Sequence, residues 1–278
     1  MPPGAALPRC SYRECVGALA SVLASLDAGR DALPAGRTSQ REFLGAYRRT
    51  TAAVGAAIEG GFFEDPEWVE AWDVAFAQLY LDALAADAAG GLDVPRPWRL
   101  AFDARASLPA LRHVLLGMNA HINYDLPQAL LAVIPDDDFT DHVLLDLRHR
   151  DHMRIDRVVT SRVAAEDDEL GTHSARSRLD RVLQPMNRWS ARRCLTEARR
   201  KVWHNTIELQ RARLDGPEAY ARRLAELERL SASRIADLLA PGQVLLRLAV
   251  VGFGVVLPPA SGQAPPGRAA ETGNAPAS

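Results

Sequence analysis

Apolar residues recur along most of this chain at the three- and four-residue spacing of helices, and short breaks containing Gly and Pro separate stretches rich in Ala, Leu, Arg and Glu. Strict alternation of apolar and polar residues, which would indicate strands, is scarce. The pattern predicts an all-α fold, a single helical-bundle-like domain of about eight helices. The predicted helices are 12–28, 38–59, 66–88, 106–130, 137–163, 188–214, 217–239 and 243–256.

Local start signals set two of these boundaries. Ser39 is followed three residues later by Glu42, which is the spacing of a capping box, so Thr38 or Ser39 is predicted to cap the second helix. Asp65 directly precedes Pro66, and a proline is well tolerated at the first position of a helix. Asp65 is therefore the predicted cap of the third helix.

Breaks in the pattern define the domain organisation. Residues 88–98, AAGGLDVPRPW, combine two glycines with two prolines and are predicted to form a loop. Residues 1–10 are predicted to be a flexible N-terminus, and residues 11–257 a single helical domain. Residues 258–278 are rich in Pro, Gly and Ala, so they are predicted to be a disordered tail.

Composition and charge disfavour several classes of function. The net charge of −2 gives no electrostatic reason to expect nucleic-acid binding. The most apolar stretch, 244–257, is interrupted by Arg247 and is shorter than the roughly 20 residues of a membrane-spanning helix, so no stable span is expected. Cys10, Cys15 and Cys194 form no paired framework, which favours a reduced, cytoplasmic protein. The oligomeric state cannot be read from these features.

One stretch carries unusual chemistry. Residues 118–130, MNAHINYDLPQAL, place His121 and Asp125 four residues apart in an otherwise apolar helix. At about 100° per residue, both fall on the face of an apolar stripe, which is the face that a helix buries. The stripe consists of Leu111, Val114, Met118, Ile122 and Ala129. The projection points His113, Asn123 and Tyr124 elsewhere and leaves Asn119 on the flank.

Burial makes this pair informative. An ionised carboxylate without a partner costs several kcal/mol to bury, so Asp125 needs a cation, a donor network or a metal. Pro127 lacks a backbone donor and is predicted to kink or end the helix beside the pair. Two interpretations are open: the pair lines a ligand, metal or catalytic site, or it is a hydrogen-bonded lock within the core.

In the catalytic interpretation, Asp125 orients His121, which acts as a general base or acid near neutral pH. Asn119 completes the predicted catalytic set as a hydrogen-bond donor. The predicted substrate-binding residues come from the same stretch and from residues 199–205, RRKVWHN, and would close the pocket opposite His121. They are Asn123, Tyr124, Arg200, Trp203 and His204.

In the metal interpretation, further ligands come from the next helix. His142 with Asp146 has the same four-residue spacing, as has His152 with Asp156. Imidazole with carboxylate is a first coordination shell for Zn, Mn or Fe. The predicted metal ligands are His121, Asp125, His142 and Asp146. The competing interpretation of the helix face that carries His142 is a solvated polar surface.

Several motifs resemble a bacterial family, the domain of unknown function numbered 5995, over roughly residues 40–250. The motifs are an F-x-D-P-x-W segment, an F-A-x-x-Y segment, a G-x-N-A-H-I-x-x-D-L core and a later R-x-x-x-W. They are carried here by Phe63, Asp65, Pro66, Trp68, Phe76, Ala77, Tyr80, Gly117, Asn119, His121, Asp125, Leu126, Arg199 and Trp203. The resemblance implies little about function.

A weaker analogy is to the helical zinc phospholipases C and P1 nucleases, which gather metal ions with H-x3-D and H-x3-E pairs. His121–Asp125, His142–Asp146 and His204–Glu208 have that spacing. No histidine follows Asp125 closely, as that group's pattern requires, so the analogy concerns ligand spacing only.

The leading hypothesis is a cytoplasmic enzyme that acts on a small, partly apolar substrate, such as a biosynthetic intermediate, by hydrolysis or by cyclisation or isomerisation. Its cofactor would be either none or a divalent metal. One alternative is a non-catalytic helical protein that binds a small ligand in the same pocket. The other is a structural protein in which the His–Asp pair locks the core.

Overall fold

The computed structural model describes the backbone of residues 12–91, 93–171, 178–242, 248 and 252–259, and within these ranges the side chains of all but 12–17, 160–171 and 178–195. The elements in these ranges are helices joined by turns, so the predicted all-α fold is confirmed. They are α1 (Tyr12–Ala32), α2 (Thr38–Glu59), α3 (Pro66–Ala88), α4 (Arg96–Phe102), α5 (Ala110–Ala120), a π turn (His121–Asp125), α6 (Leu126–Val133), a 3-10 turn (Asp136–Phe139), α7 (His142–Gly171), α8 (Arg178–Leu214) and α9 (Pro217–Leu239). Among the helices described, none is long and apolar enough to cross a bilayer.

Helix boundaries follow the sequence pattern where it is strongly periodic. The predictions 38–59, 66–88 and 217–239 coincide with α2, α3 and α9. The loop predicted at 88–98 is wrong over its last three residues, because α4 begins at Arg96 behind Pro95, with Pro97 in its first turn. A proline there fits a helix start, since the first turn has no intrahelical partner for its N–H groups.

The conformation of residues 252–259 differs from the prediction. Residues 252–259 are not helical: Gly252 has a φ of 77°, and the hydrogen bonds of residues 253–257 alternate as in extended backbone, so the predicted helix 243–256 is wrong over its last five residues. The extended segment also includes the first two residues of the predicted tail. The rest of that tail, 260–278, and the predicted flexible N-terminus, 1–10, lie outside the described residues.

The two predicted caps have different outcomes. Asp65 accepts a hydrogen bond from Trp68 N–H at 3.0 Å and caps α3 as expected. The capping box at α2 is wrong, because that helix begins after Arg37 without a side-chain cap. Ser39 is buried, and its hydroxyl lies 2.7 Å from His113 Nδ1 on α5. Its hydroxyl therefore ties two helices together.

The segment α5–π turn–α6, here called the central helix, is surrounded by its neighbours. It contacts α2, α3, α4, α8 and α9. The predicted single buried face is therefore wrong: Leu111 is 55% exposed, whereas His113, Asn123 and Tyr124 are buried. A helix covered on all sides has no solvent face, and the π turn shifts the angular phase of the residues that follow it.

Helix α7 exposes the part of its surface predicted to carry metal ligands. His142 and Asp146 are exposed, and the neighbouring Val143 is 80% exposed. The helix becomes buried only further along, where Asp151 and His152 are inaccessible to solvent. Asp151 accepts hydrogen bonds from the backbone N–H groups of residues 64 and 65 and so anchors α7 to the start of α3.

Candidate functional site

The π turn His121–Asp125 is the local irregularity that positions the candidate site. Its closing hydrogen bond runs from Leu126 N–H to His121 O, five residues back. Pro127 follows immediately. In a regular α-helix its ring would clash with the carbonyl of Asn123, and a wider turn relieves that conflict. The predicted disturbance by Pro127 is thus a widened turn within a continuing helix.

His121 and Asp125 form the predicted pair. His121 Nδ1 lies 2.8 Å from Asp125 Oδ2, and both side chains are almost completely buried. A third residue, Trp98 on α4, donates its indole N–H to the same carboxyl oxygen at 2.8 Å. Trp98 was missed from the sequence because its segment was assigned to a loop. The helix-start signal of Pro95 and Pro97 could have revealed it.

Aromatic rings enclose the imidazole of His121. Phe76 stacks on it with ring centroids 3.5 Å apart and planes 7° from parallel. Tyr47 presents its edge at 4.6 Å, and the rings of Phe43, Tyr80 and Trp98 complete the enclosure at centroid distances of 5.7 to 6.0 Å. The second ring nitrogen, Nε2, is buried and has no hydrogen-bond partner among the described residues.

Burial controls the protonation of the pair. It lowers the pKa of His121 well below its ordinary value. It raises the pKa of Asp125 well above its ordinary value, and the Trp98 hydrogen bond opposes this to a smaller extent. Both shifts disfavour charge, so the ion pair is disfavoured relative to a neutral carboxyl beside a neutral imidazole.

Two protonation states of the pair matter chemically. With two protons, the carboxyl O–H donates to Nδ1, and Nε2 carries an N–H that can donate a proton. With one proton, the carboxylate of Asp125 accepts from Nδ1–H, and His121 Nε2 presents a lone pair. The same pair is thus an acid at low pH and a base once the pH exceeds its raised pKa.

The two predicted asparagines contact a different part of the chain. Asn119 and Asn123 each donate a side-chain N–H to the carbonyl oxygen of Phe253, both at 3.1 Å. Asn123 also accepts a hydrogen bond from Val255 N–H at 3.1 Å. Tyr124 packs in a small apolar cluster away from the imidazole. The pair is therefore assembled as predicted, whereas the two asparagines direct their hydrogen bonds to residues 253 and 255.

The three predicted substrate-binding residues on α8 also make their contacts elsewhere. Arg200 is exposed. The Trp203 ring lies against His149 and His152, with centroids 4.8 and 5.5 Å apart. His204 donates from Nε2 to the carbonyl oxygen of Leu257 at 3.2 Å. None of these contacts places the α8 residues opposite His121.

The predicted metal ligands do not converge. His142 and Asp146 are exposed on α7, whereas His121 and Asp125 are buried in the central helix. Among the described residues, no three His, Cys, Asp or Glu side chains are arranged to hold a metal ion.

The other two H-x3-D and H-x3-E pairs are also separated. Asp156 forms an ion pair with Arg199 instead of joining His152. Glu208 pairs with Arg211 and Arg223 instead of His204.

A second buried polar group was missed from the sequence. Asp73 on α3 is 6% exposed, and its Oδ2 has no hydrogen-bond partner among the described side chains. Burial, with the nearby charge of Glu70, raises the pKa of Asp73 to about 7, and Arg199 opposes the shift. Glu70 lies on the same helix as Asp73, but Arg199 lies on α8, and an interaction between separate helices leaves no local motif in the sequence.

Replacing Asp73 with Asn is expected to remove a specific pH dependence of stability. Folded Asp73 keeps its proton up to about pH 7, whereas the unfolded chain loses it near 3.8. Its contribution is complete below the unfolded value and is lost as pH rises through about 7. The melting temperature of Asp73→Asn relative to wild type should therefore be higher at about pH 8 than at about pH 5. A constant difference in thermal melts across this range would contradict the assignment.

Comparison with known proteins identifies a family whose model matches most of the chain. Residues 19–241 match the model of DUF5995, described as a family of unknown function. The match covers the central helix, the aromatic enclosure and α4, and it confirms the resemblance recognised from the motifs. A search of curated proteins and a search of solved structures found no match.

Proposed function

We propose that this chain, which belongs to the DUF5995 family, is an enzyme that uses the His121–Asp125 pair for acid–base catalysis on a small, largely apolar substrate. The observation that carries the proposal is the desolvated carboxyl–imidazole pair with His121 Nε2 left without a partner among the described residues. Buried polar atoms are rarely left unpaired, and functional groups awaiting a ligand are one reason for the exceptions.

The surroundings of His121 support the substrate class. Five aromatic rings form walls that favour an apolar body, and Nε2 supplies one polar contact that can donate or accept a proton. A π turn at this position is in keeping with a functional role, because π bulges occur frequently at functional sites. General acid–base chemistry of this kind serves hydrolysis as well as isomerisation or cyclisation.

A second buried histidine on the same helix offers a matched control. His113 is also buried, and its Nδ1 lies 2.7 Å from the hydroxyl of Ser39. The partner of His113 is a neutral hydroxyl, so this buried histidine lacks the acidic partner that Asp125 gives to His121.

The proposal is tested with 5-nitrobenzisoxazole, a small apolar compound whose ring opens when a base removes one proton. The expected result is turnover by the wild type that rises with pH, because the raised pKa of Asp125 delays formation of the basic state. His121→Gln should reduce the rate by about 100-fold or more, whereas His113→Gln should leave it within about twofold.

Two outcomes would contradict the proposal. One is equal turnover in wild type and His121→Gln with both chains folded by circular dichroism. The other is no turnover above background in the wild type together with no shift of the His121 imidazole NMR signals when the compound is added. In the second case the pair would be a structural element of the core.

A further inference from the structure

Residues 252–259, here called the terminal segment, lie in a cleft formed by the central helix, α8 and α9. The segment is extended, and its hydrogen bonds beyond Gly252 come from side chains of these helices. Extended backbone usually pairs with another strand, so its capture by side chains alone calls for an explanation.

Two asparagines contact the terminal segment at alternate residues. Asn123 donates to Phe253 O at 3.1 Å and accepts from Val255 N–H at 3.1 Å. Asn205, on α8, donates to Val255 O at 3.0 Å and accepts from Leu257 N–H at 2.9 Å. Each amide therefore makes the donor–acceptor pair that a neighbouring strand would make, with the two-residue period of extended chain.

Basic side chains bind further carbonyl oxygens of the terminal segment. Lys201 donates to Gly254 O at 3.3 Å, and Arg234 donates to Gly252 O at 3.2 Å. His204 and Arg223 donate to the carbonyl oxygens of Leu257 and Pro258. These contacts recognise main chain, so they are available to any peptide that adopts the same extended conformation.

Side-chain pockets restrict which peptides fit. Phe253, Val255 and Leu257 are buried, whereas Val256 is 44% exposed. A Cβ atom at Gly254 would lie 2.9 Å from the backbone Cα of Ala198 and 2.8 Å from Lys201 Cδ. The cleft thus accepts an apolar residue, a glycine, an apolar residue, an exposed residue and an apolar residue in succession.

The cleft and its occupant differ in their relation to the family. The binding residues Asn119, Asn123 and Asn205 lie within residues 19–241, which match the family model. The terminal segment lies beyond the matched region. The cleft is therefore part of the family domain, while the peptide that fills it is supplied by a separate part of the chain.

We propose that this cleft is a binding site for extended peptides of the pattern apolar–Gly–apolar–x–apolar, and that residues 252–259 are its internal ligand. Asn119, Asn123 and His204, which the sequence marked as catalytic or substrate-binding residues, bind peptide backbone here. The proposal goes beyond the acid–base function and does not depend on it. It concerns the hydrogen bonds that the asparagines make with residues 252–259, and not the His121–Asp125 pair.

The test uses the full-length chain with Gly254→Val, which disfavours the internal ligand while leaving the cleft side chains intact. A fluorescein-labelled peptide with the sequence of residues 252–259, GFGVVLPP, is titrated and followed by fluorescence polarisation. The variant is expected to bind it at least about 10-fold more tightly than wild type, because the tethered segment competes at an effective concentration in the millimolar range.

Two matched controls define specificity. The peptide GFVVVLPP, with valine at the position of Gly254, should bind at least about 10-fold more weakly, since its Cβ meets Ala198. Adding Asn205→Ala to the Gly254→Val chain should weaken binding of GFGVVLPP by about 10-fold, the loss of two backbone hydrogen bonds. A folded Gly254→Val chain that binds neither peptide, or both equally, would overturn the proposal.

Hydrogen exchange of the wild-type chain tests the same idea without a substitution. The amides of Val255 and Leu257 should exchange at least about 100-fold faster than those in the middle of α3, because the internal ligand leaves the cleft without global unfolding. Exchange of both regions at the same rate would overturn the proposal, as would a Gly254→Val chain that cannot fold, since either shows that the segment is an inseparable part of the core.

Discussion

Replacing Gly117 with Ala is expected to lower the free energy of unfolding by about 2–3 kcal/mol, although alanine is the better helix former. A Cβ atom at this position would lie 2.3 Å from Phe43 Cδ2 and 2.4 Å from its Cγ. Phe43 cannot move aside easily, because its ring is buried against Tyr47, Tyr80 and Trp98. Since Phe43 also touches the imidazole of His121, the substitution should disturb the site together with the fold.

Two glycines of α2 provide matched controls for this prediction. At Gly45 the nearest atom to an added Cβ is Arg49 Nη1 at 3.5 Å, an ordinary contact, so Gly45→Ala should raise stability by up to about 1 kcal/mol. At Gly55 the Cβ would meet Leu19 Cδ2 at 2.7 Å, but this is the end of a flexible side chain, so an intermediate effect is expected. Urea unfolding followed by tryptophan fluorescence measures all three. Wild-type stability in Gly117→Ala would contradict the packing described.

Asp125→Ala is expected to be about as damaging as Gly117→Ala, with a loss of about 3 kcal/mol. It leaves the indole N–H of Trp98 without its acceptor and opens a void beside His121, in a region that water does not reach. Asp125→Asn is the matched control. Trp98 and His121 Nδ1 both contact Oδ2, so an asparagine with its amide oxygen at that position can accept from the indole N–H and from Nδ1–H, and a loss below about 1 kcal/mol is expected.

The two Asp125 variants also separate stability from chemistry. An amide oxygen can accept from Nδ1–H, but it carries no negative charge to stabilise the imidazolium that forms when His121 Nε2 takes up a proton. Asp125→Asn should therefore fold nearly as well as wild type, lose most of its turnover of 5-nitrobenzisoxazole, and show the Nδ1–H tautomer by nitrogen NMR. Equal destabilisation by Asn and Ala would instead show that the carboxyl group itself is indispensable to the fold. Full turnover in the Asn variant would remove Asp125 from the mechanism.

Part of this architecture was predictable from sequence because it depends on local periodicity. Helices α2, α3 and α9 have the predicted boundaries, and the cap by Asp65 follows from a residue and the proline beside it. The His121–Asp125 pair was also predictable, since a four-residue spacing in a helix brings two side chains together whatever surrounds them.

Contacts between segments that lie far apart in the sequence could not be predicted from local patterns. Trp98 reaches Asp125 from α4, which was hidden in a stretch dominated by glycine and proline. Asn123 and Asn205 both bond Val255, which lies at least 50 residues away in a segment predicted to be helical. The regular helical projection also failed at His113 and Tyr124, because it assumed one buried face and a constant turn angle.

The π turn His121–Asp125 implies that chain length, and not only residue identity, defines the geometry of the His121–Asp125 pair. Removing a single residue between 121 and 125 would allow an ordinary α-helical ladder to re-form, with about 100° of relative rotation between α5 and α6. Either the side chains of Asn119 and Asn123 or the carboxyl group of Asp125 would then point in a different direction. Among family members, a one-residue gap at this turn would therefore mark chains that keep the helical bundle but lack the hydrogen bond between the histidine and the aspartate.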